Sequence, residues 1–213
     1  MNTTPLSSEN SRCLNRIANH LLLHASYTPD LGLYHGKMGI VLFFAHYARY
    51  TGNPSYDDFS GDLLDELYAE LHADMGVDLE TGLCGIGWGI GFLLLHGFMD
   101  GNPDEILTDL DQIIMKRDIR RVDDFSLETG LAGISCYVRM RLELARRFSL
   151  PLPFDDIFLS DWKKAAGNEM ECPNENLKSW VAKNRFDSTS DIKEWKLGLV
   201  DGCAGYGLKM MGI

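Results

Sequence analysis

Long apolar runs and an excess of basic residues are both missing from this sequence. No apolar stretch approaches the roughly 20 residues that a membrane-spanning helix needs, so no membrane span is expected. Lysine and arginine number 20 against 31 aspartate and glutamate residues, which gives a net charge of −11. Because phosphate recognition needs clustered cations, a nucleic-acid partner is not expected. The first dozen residues are polar and show no small-residue cleavage pattern, which predicts a cytoplasmic protein.

Cysteine and β-strand patterning are also scarce. The five cysteines are an odd number and form no C-x-x-C pair, which argues against a disulfide framework. No segment shows a convincing alternation of apolar and polar residues, so an all-α fold is expected. Hydrophobic residues make up 45% and charged residues 24%, as in ordinary globular proteins. The 213 residues predict a single domain over 1–213.

What the sequence does contain is glycine, in four short patches. Each patch follows a helical segment and opens an apolar one, which is the signature of a repeat of about fifty residues. The patches begin at Gly32-Leu33, Gly82-Leu83, Gly130-Leu131 and Gly198-Leu199. From this spacing we expect inner helices that begin near Gly36, Gly85, Gly133 and Gly202. The repeat therefore predicts an array of helical hairpins with the glycine-rich turns at one end.

Helical periodicity separates two kinds of segment between the patches. The segments that follow the first two patches are apolar all round at 40–45 and 90–95, and they are expected to be buried inner helices. The segments 62–74 and 104–117 instead carry acidic residues on one face, as outer helices do. Gly-Asn-Pro joins inner to outer helix at Gly52 and Gly101. The longer interval at about 167–196 is interpreted as an insertion with one short helix near Asn176–Ala182.

The Gly-Leu-x-x-Gly turns resemble those of the lanthionine synthetase C-like family, the lanthionine cyclases. The resemblance covers nearly the whole chain and implies an α/α toroid, of whose seven hairpins this chain supplies about four, as a partial α/α barrel. It also implies a role in peptide modification or maturation. In the family, zinc bound by a Gly-Trp-Cys and a Cys-His-Gly motif activates a peptide thiol, which adds to a dehydrated serine or threonine to form a thioether.

The zinc motifs are incomplete here. Gly87-Trp88-Gly89 resembles Gly-Trp-Cys but has Gly89 in place of the cysteine. Val200-Asp201-Gly202 resembles Cys-His-Gly but lacks both of its zinc ligands. Tyr34-His35-Gly36 keeps the histidine of that motif but not its cysteine. We therefore expect no resident cofactor and no zinc cyclase activity. A substitute zinc site remains conceivable, and its candidate ligands are His35, Cys84, Asp201 and Cys203.

Helix N-termini that converge at one mouth suit a peptide carbonyl or a carboxylate. The candidate peptide-binding residues at this mouth are Gly36, Gly85, Trp88, Gly133 and Gly202, and the candidate catalytic residues are Asp201 and His35. The alternative interpretation is that the glycines only allow close helix packing.

Two other functions remain open. A glycoside-hydrolase-like α/α enzyme would need two facing carboxylates, for which Asp201 with Glu128 or Asp30 are candidates. A non-catalytic scaffold would close its incomplete ring through another subunit, and exposed apolar flanks favour a homodimer.

Several side chains have competing interpretations. The aromatic residues Trp162, Trp180 and Trp195 either anchor a peptide from the surface or pack in the core. His46 and His96 lie about 15 Å along their helices from the turns, which favours hydrogen-bonded structural histidines over ligands.

Overall fold

The computed structural model describes residues 8–167 and 177–213. These ranges contain α-helices and short 3-10 segments and no β-strand. The helices are α1 (Ser8–His24), α2 (Lys37–Thr51), α3 (Pro54–Ala69), α4 (Leu83–Leu95), α5 (Pro103–Met115), α6 (Leu131–Phe148), α7 (Asp156–Ala166), α8 (Leu177–Ala182) and α9 (Cys203–Met210). The all-α hairpin array expected from the sequence is confirmed. Within the described ranges, no helix is both long and apolar enough to cross a membrane.

Inner and outer helices alternate as the periodicity predicts. In α4, every residue from Leu83 to Leu94 is buried, and 37–45 of α2 are buried in the same way. The outer helix α3 buries only Ser60, Leu63 and Leu67. Each outer helix therefore covers the inner layer with one apolar face and leaves its acidic face to solvent.

Gly-Asn-Pro forms the hairpin junction at one of its two occurrences. Gly52 ends α2 in the left-handed region at φ 69°, and the Asn53 side chain accepts a hydrogen bond from Ser55 N at the start of α3. At the second occurrence Asn102 caps α5 in the same way, but α4 has already ended at Leu95. A loop over 96–102 therefore separates the second pair of helices, which the repeated tripeptide did not predict.

Two inner helices begin two residues earlier than expected. Their capping glycines are Gly36, Gly82, Gly130 and Gly202, so α4 and α6 start at Leu83 and Leu131 rather than near Gly85 and Gly133. In all four turns the first helical N–H donates to the carbonyl seven residues earlier, at 2.8 Å. The four turns thus have the same length. An alignment on the Gly-Leu pairs is wrong by four residues for the second and third units relative to the first and fourth.

The spatial order of the inner helices differs from their order along the chain. α4 packs between α2 and α6, whereas α9 packs against α2 and α1. The fourth unit therefore lies beside the first, and the order in space is α9, α2, α4, α6. Units that follow one another along the chain are therefore neighbours in space only for the first three.

The proposed insertion contributes to the core in the part that the structure describes. Residues 168–176, including Asn176 of the expected short helix, lie outside the described ranges, and α8 itself spans Leu177–Ala182. The Trp180 ring lies 4.6 Å from the Trp88 ring and 5.6 Å from the Tyr34 ring. Trp162, Trp180 and Trp195 are all buried. The core interpretation of the three tryptophans is therefore confirmed, and their role as surface anchors is wrong.

Candidate functional site

The four glycine-rich turns meet at one end and are joined by backbone hydrogen bonds. Val200 N donates to Tyr34 O at 2.9 Å, and Tyr34 N donates to Glu80 O at 3.0 Å. Glu80 N in turn donates to Glu128 O at 3.0 Å. We call this series, Val200, Tyr34, Glu80 and Glu128, the turn ladder. It fixes the four turns side by side in the order fourth, first, second, third.

Close backbone contact explains glycine at these turns. A Cβ atom on Gly36 would lie 2.4 Å from Asp30 O, and one on Gly85 would lie 2.0 Å from Leu79 O. Any side chain there would displace the backbone. The candidate binding glycines Gly36, Gly85, Gly133 and Gly202 are all buried. Their visible role is to let each turn fold tightly onto its helix.

The first N–H groups of the inner helices are already hydrogen-bonded. Lys37 N donates to Asp30 O at 2.8 Å and Met38 N donates to Leu31 O at 3.2 Å. In the fourth turn, the N–H groups of residues 203–205 bond in the same way to the carbonyls of residues 196–198. The N–H groups that the sequence analysis expected to be free for a ligand are thus used by the turns themselves.

We call the surface formed by the two residues before each capping glycine the turn face; of these residues, Tyr34 is buried and Val200 is apolar and half-buried. These pairs are Tyr34-His35, Glu80-Thr81, Glu128-Thr129 and Val200-Asp201. His35 Nε2 lies 3.0 Å from Glu80 Oε1, so the first and second turns are also linked by side chains. Glu128 is exposed on the third turn. The face presents three carboxylates and one imidazole.

Asp201, a candidate catalytic residue, holds a neighbouring segment in place. Its backbone adopts the left-handed region at φ 51°. Its Oδ1 atom accepts a hydrogen bond from Arg185 N at 2.9 Å. The contact attaches the chain that follows α8 to the fourth turn.

The carboxylates considered for a hydrolase belong to three different turns. Asp30 Oδ1 accepts a hydrogen bond from Gly32 N at 2.7 Å, within its own turn. Asp201 and Glu128 belong to the fourth and third turns, with the first and second turns between them along the ladder.

The thiols near the turns are buried. Cys84 and Cys203 are both 0% exposed. Burial raises the pKa of the Cys84 thiol well above its usual range and raises the pKa of Cys203 to about 12. Cys136 on α6 is disulfide-bonded, which the odd cysteine count did not predict.

The residues present do not fit a catalytic zinc site. None of the four pairs before the capping glycines contains a cysteine. In the described part of the chain, no three His, Cys, Asp or Glu side chains lie together in a way that could hold a metal ion, so His35, Cys84, Asp201 and Cys203 do not form a site. Trp88 and Gly89 lie inside α4 rather than at the turn face, and a Cβ on Gly89 would meet the Met38 side chain at 2.6 Å.

Sequence reasoning missed a buried polar cluster between α5 and α6. Arg141 Nη2 donates to Asp111 Oδ2 at 2.7 Å, and Tyr137 OH donates to Asp111 Oδ1 at 2.6 Å. Burial raises the pKa of the Asp111 carboxyl and raises that of the Tyr137 phenol well above its usual range. The available signal was Asp111 itself, which lies among the apolar face positions Leu107, Leu110 and Ile114 of α5.

Inner helices that each start from a glycine-capped turn, covered by an outer layer, define an α/α-hairpin repeat protein. A sequence model of the lanthionine synthetase C-like protein family matches residues 28–211, and the chain belongs to that family. A comparison with curated proteins gave no match.

Proposed function

We propose that this protein binds a peptide across its turn face and does not catalyse zinc-dependent thioether formation. The observation that carries the proposal is the composition of the turn face, where the pairs before the capping glycines include no cysteine and expose polar side chains, namely His35, Thr81, Glu128, Thr129 and Asp201. Family membership supports a peptide as the bound molecule. In peptide maturation, the turn face would then bind the peptide without itself forming the thioether.

Charge supports a cationic peptide. The turn face presents the carboxylates of Glu80, Glu128 and Asp201, and the whole chain carries a net charge of −11. Such a surface attracts lysine and arginine side chains and repels acidic peptides. Since these carboxylates are solvent-accessible, each should contribute modestly to affinity and more strongly at low salt.

Peptide binding is tested with a labelled lysine-rich decapeptide and a glutamate-rich decapeptide of the same length, by fluorescence anisotropy. We expect binding of the basic peptide only. Glu128→Gln should weaken that binding roughly twofold to fivefold, the scale of one exposed ion pair. The matched control is Asp58→Asn, which removes an exposed carboxylate from α3. Equal binding of both peptides, or equal effects of the two variants, would refute recognition at the turn face.

The absence of cyclase activity is tested separately. The protein is dialysed against metal-free buffer, its zinc is measured, and it is then incubated with a dehydrated peptide that contains one cysteine. Cyclisation leaves the mass unchanged, so the remaining free thiol is counted by alkylation. We expect no stoichiometric zinc and no loss of thiol. One equivalent of zinc that disappears in Cys84→Ser or Cys203→Ser would overturn this half of the proposal while leaving peptide binding intact.

A further inference from the structure

A cavity lies in the outer layer, between the C-terminal ends of α3 and α5. Its volume is about 330 Å³, near the lower end of the range for ligand pockets. α3 packs on α2 and α5 packs on α4, so the cavity is a gap that the two outer helices leave between them. Tyr68 spans this gap at one place, where its hydroxyl donates to Ile106 O at 3.1 Å. We call this gap the α3–α5 cavity, and it is separate from the turn ladder.

Much of the lining of the α3–α5 cavity is apolar. Leu83 and Leu110 line it and are buried in the core. Leu71 and Ile113 also line it, and both are half-buried. At protein interfaces, an apolar pocket of this kind receives one bulky side chain of the partner, and such anchors dominate the binding energy.

The two helices that flank the cavity are acidic. α3 and α5 contain nine aspartate and glutamate residues and no lysine or arginine. Three of these carboxylates are in ion pairs with cations of the inner helices, Glu66 with Lys37 and both Asp104 and Asp111 with Arg141. The remaining six are exposed and form no ion pair in the described part of the chain; they are Asp57, Asp58, Asp62, Asp65, Glu105 and Asp109.

Negative charge also predominates beside the cavity itself. Asp109 lines it, and Glu105 lies four residues earlier on the same helix. Asp65 lies three residues before the lining tyrosine of α3. Side chains at these spacings are neighbours on a helix surface. Lys116 and His72 also line the cavity, so one lysine stands against three carboxylates, and a cationic partner meets complementary charge.

We propose that the α3–α5 cavity is the docking site of a partner segment in which one bulky apolar residue is flanked by lysine or arginine. The apolar side chain fills the cavity, and the flanking cations lie against Asp65, Glu105 and Asp109. The apolar anchor supplies most of the affinity, whereas the exposed carboxylates speed association and orient the segment. This proposal does not rest on peptide binding at the turn face.

The test uses three labelled decapeptides and fluorescence anisotropy. The first has a central phenylalanine flanked by lysines, the second has serine in place of the phenylalanine, and the third has glutamate in place of every lysine. We expect the first to bind about tenfold more tightly than the second, the lower end of what burial of one large apolar side chain provides. The third should not bind. Equal binding of the first two peptides, or binding of the third, would overturn the proposal.

Apolar variants locate the anchor. Ile113→Ser removes part of the apolar lining and should bring the affinity of the phenylalanine peptide close to that of the serine peptide. The matched control is Ile157→Ser, which changes an exposed isoleucine of α7 and should leave both affinities unchanged. Thermal unfolding checks that both variants fold. Equal effects of the two variants would place the anchor elsewhere and refute the proposal.

Charge variants on the cavity rim should act in opposite directions. Asp109→Asn should weaken binding of the phenylalanine peptide roughly twofold to fivefold, and Lys116→Gln should strengthen it by a similar factor. Glu128→Gln, on the turn face, should leave the preference for phenylalanine over serine unchanged. Changes in the same direction at Asp109 and Lys116 contradict the proposal. A chain that self-associates, and that loses this association in Ile113→Ser, would assign the cavity to a second copy instead.

Discussion

At the scale of single residues, His46 differs most from its expectation. It was expected to be a hydrogen-bonded structural histidine, yet its Nε2 atom is buried and has no hydrogen-bond partner. Its ring instead packs against Phe98 at 4.5 Å and Phe92 at 5.9 Å. Burial, then the positive charge of Arg49, lower the pKa of His46 to about 4. The neutral imidazole of His46 is thus half-buried against two phenylalanine rings.

The pKa of His46 predicts a loss of stability in acid. The unfolded chain binds the proton near the ordinary value of 6.5 and the folded chain only near 4. Stability from this residue is therefore complete above pH 6.5 and falls as the pH drops towards 4, by up to about 3 kcal/mol. Urea unfolding across this range should show a shallower pH dependence for His46→Gln than for the unmodified chain. His72→Gln is the exposed control, and parallel curves for all three proteins would contradict the assignment.

At the scale of elements, α4 shows how glycine brings helices together. A Cβ on Gly87 would lie 2.3 Å from the Tyr137 ring of α6, and one on Gly91 would lie 2.6 Å from Met140. On another side of the helix, Gly89 meets Met38 of α2. The glycines of one helix therefore admit large side chains from both neighbouring inner helices, which accounts for a glycine-rich helix that is buried throughout.

Gly87→Ala should destabilise the protein by about 1–3 kcal/mol, as overpacking of a core does. Tyr137 cannot easily move away, because its hydroxyl is hydrogen-bonded to the buried Asp111. The matched control is Gly61→Ala on the exposed part of α3, where a Cβ meets nothing within 4 Å. That change should stabilise the helix by about 0.5–1 kcal/mol. Chemical denaturation measures both, and a Gly87→Ala protein as stable as the Gly61→Ala protein would contradict the packing argument.

The sequence predicted that the helices exist, but it missed some of their bounds and the register of the repeat. The outer helix expected at 62–74 is α3, which spans Pro54–Ala69. Apolar and acidic periodicity predicted α2 to α6 because it reports directly which face is buried. The Gly-Leu pair gave the wrong alignment because it does not occupy the same position in every turn. In the first turn, Gly32-Leu33 lies four residues before the capping glycine. In the second turn, Gly82 of Gly82-Leu83 is itself the capping glycine. Only the hydrogen bonds across the turns show which glycines are equivalent.

At the scale of the whole molecule, a single chain covers the apolar flanks that were expected to favour a homodimer. Residues 40–45 and 90–94 are buried within one chain. Two contacts that periodicity does not encode contribute to this burial, namely α9 against α2 and Trp180 against Trp88. Both depend on the long connection between the third and fourth units, whose path a local pattern cannot reveal. The reason for expecting a dimer is thereby removed.

We therefore expect a monomer in solution. Sedimentation equilibrium at tens of micromolar should give the mass of one chain, 23.9 kDa, without binding of a hydrophobic dye. A concentration-dependent mass near twice this value would show that apolar surface remains available for self-association, as the scaffold alternative requires. Dilution through the same range distinguishes a stable dimer from weak association.

The hydrogen bond between Val200 and Tyr34 has a consequence for biosynthesis. It joins the fourth turn to the first, so the side of α2 that α9 covers stays open until the fourth unit has left the ribosome. In a simple repeat array each new unit extends a finished neighbour. Here the first unit is covered only after the fourth unit has been synthesised. The contact between α9 and α2 joins distant parts of the chain, and such contacts slow folding. A nascent chain with three units translated would expose apolar helix surface, the kind of surface that chaperones bind.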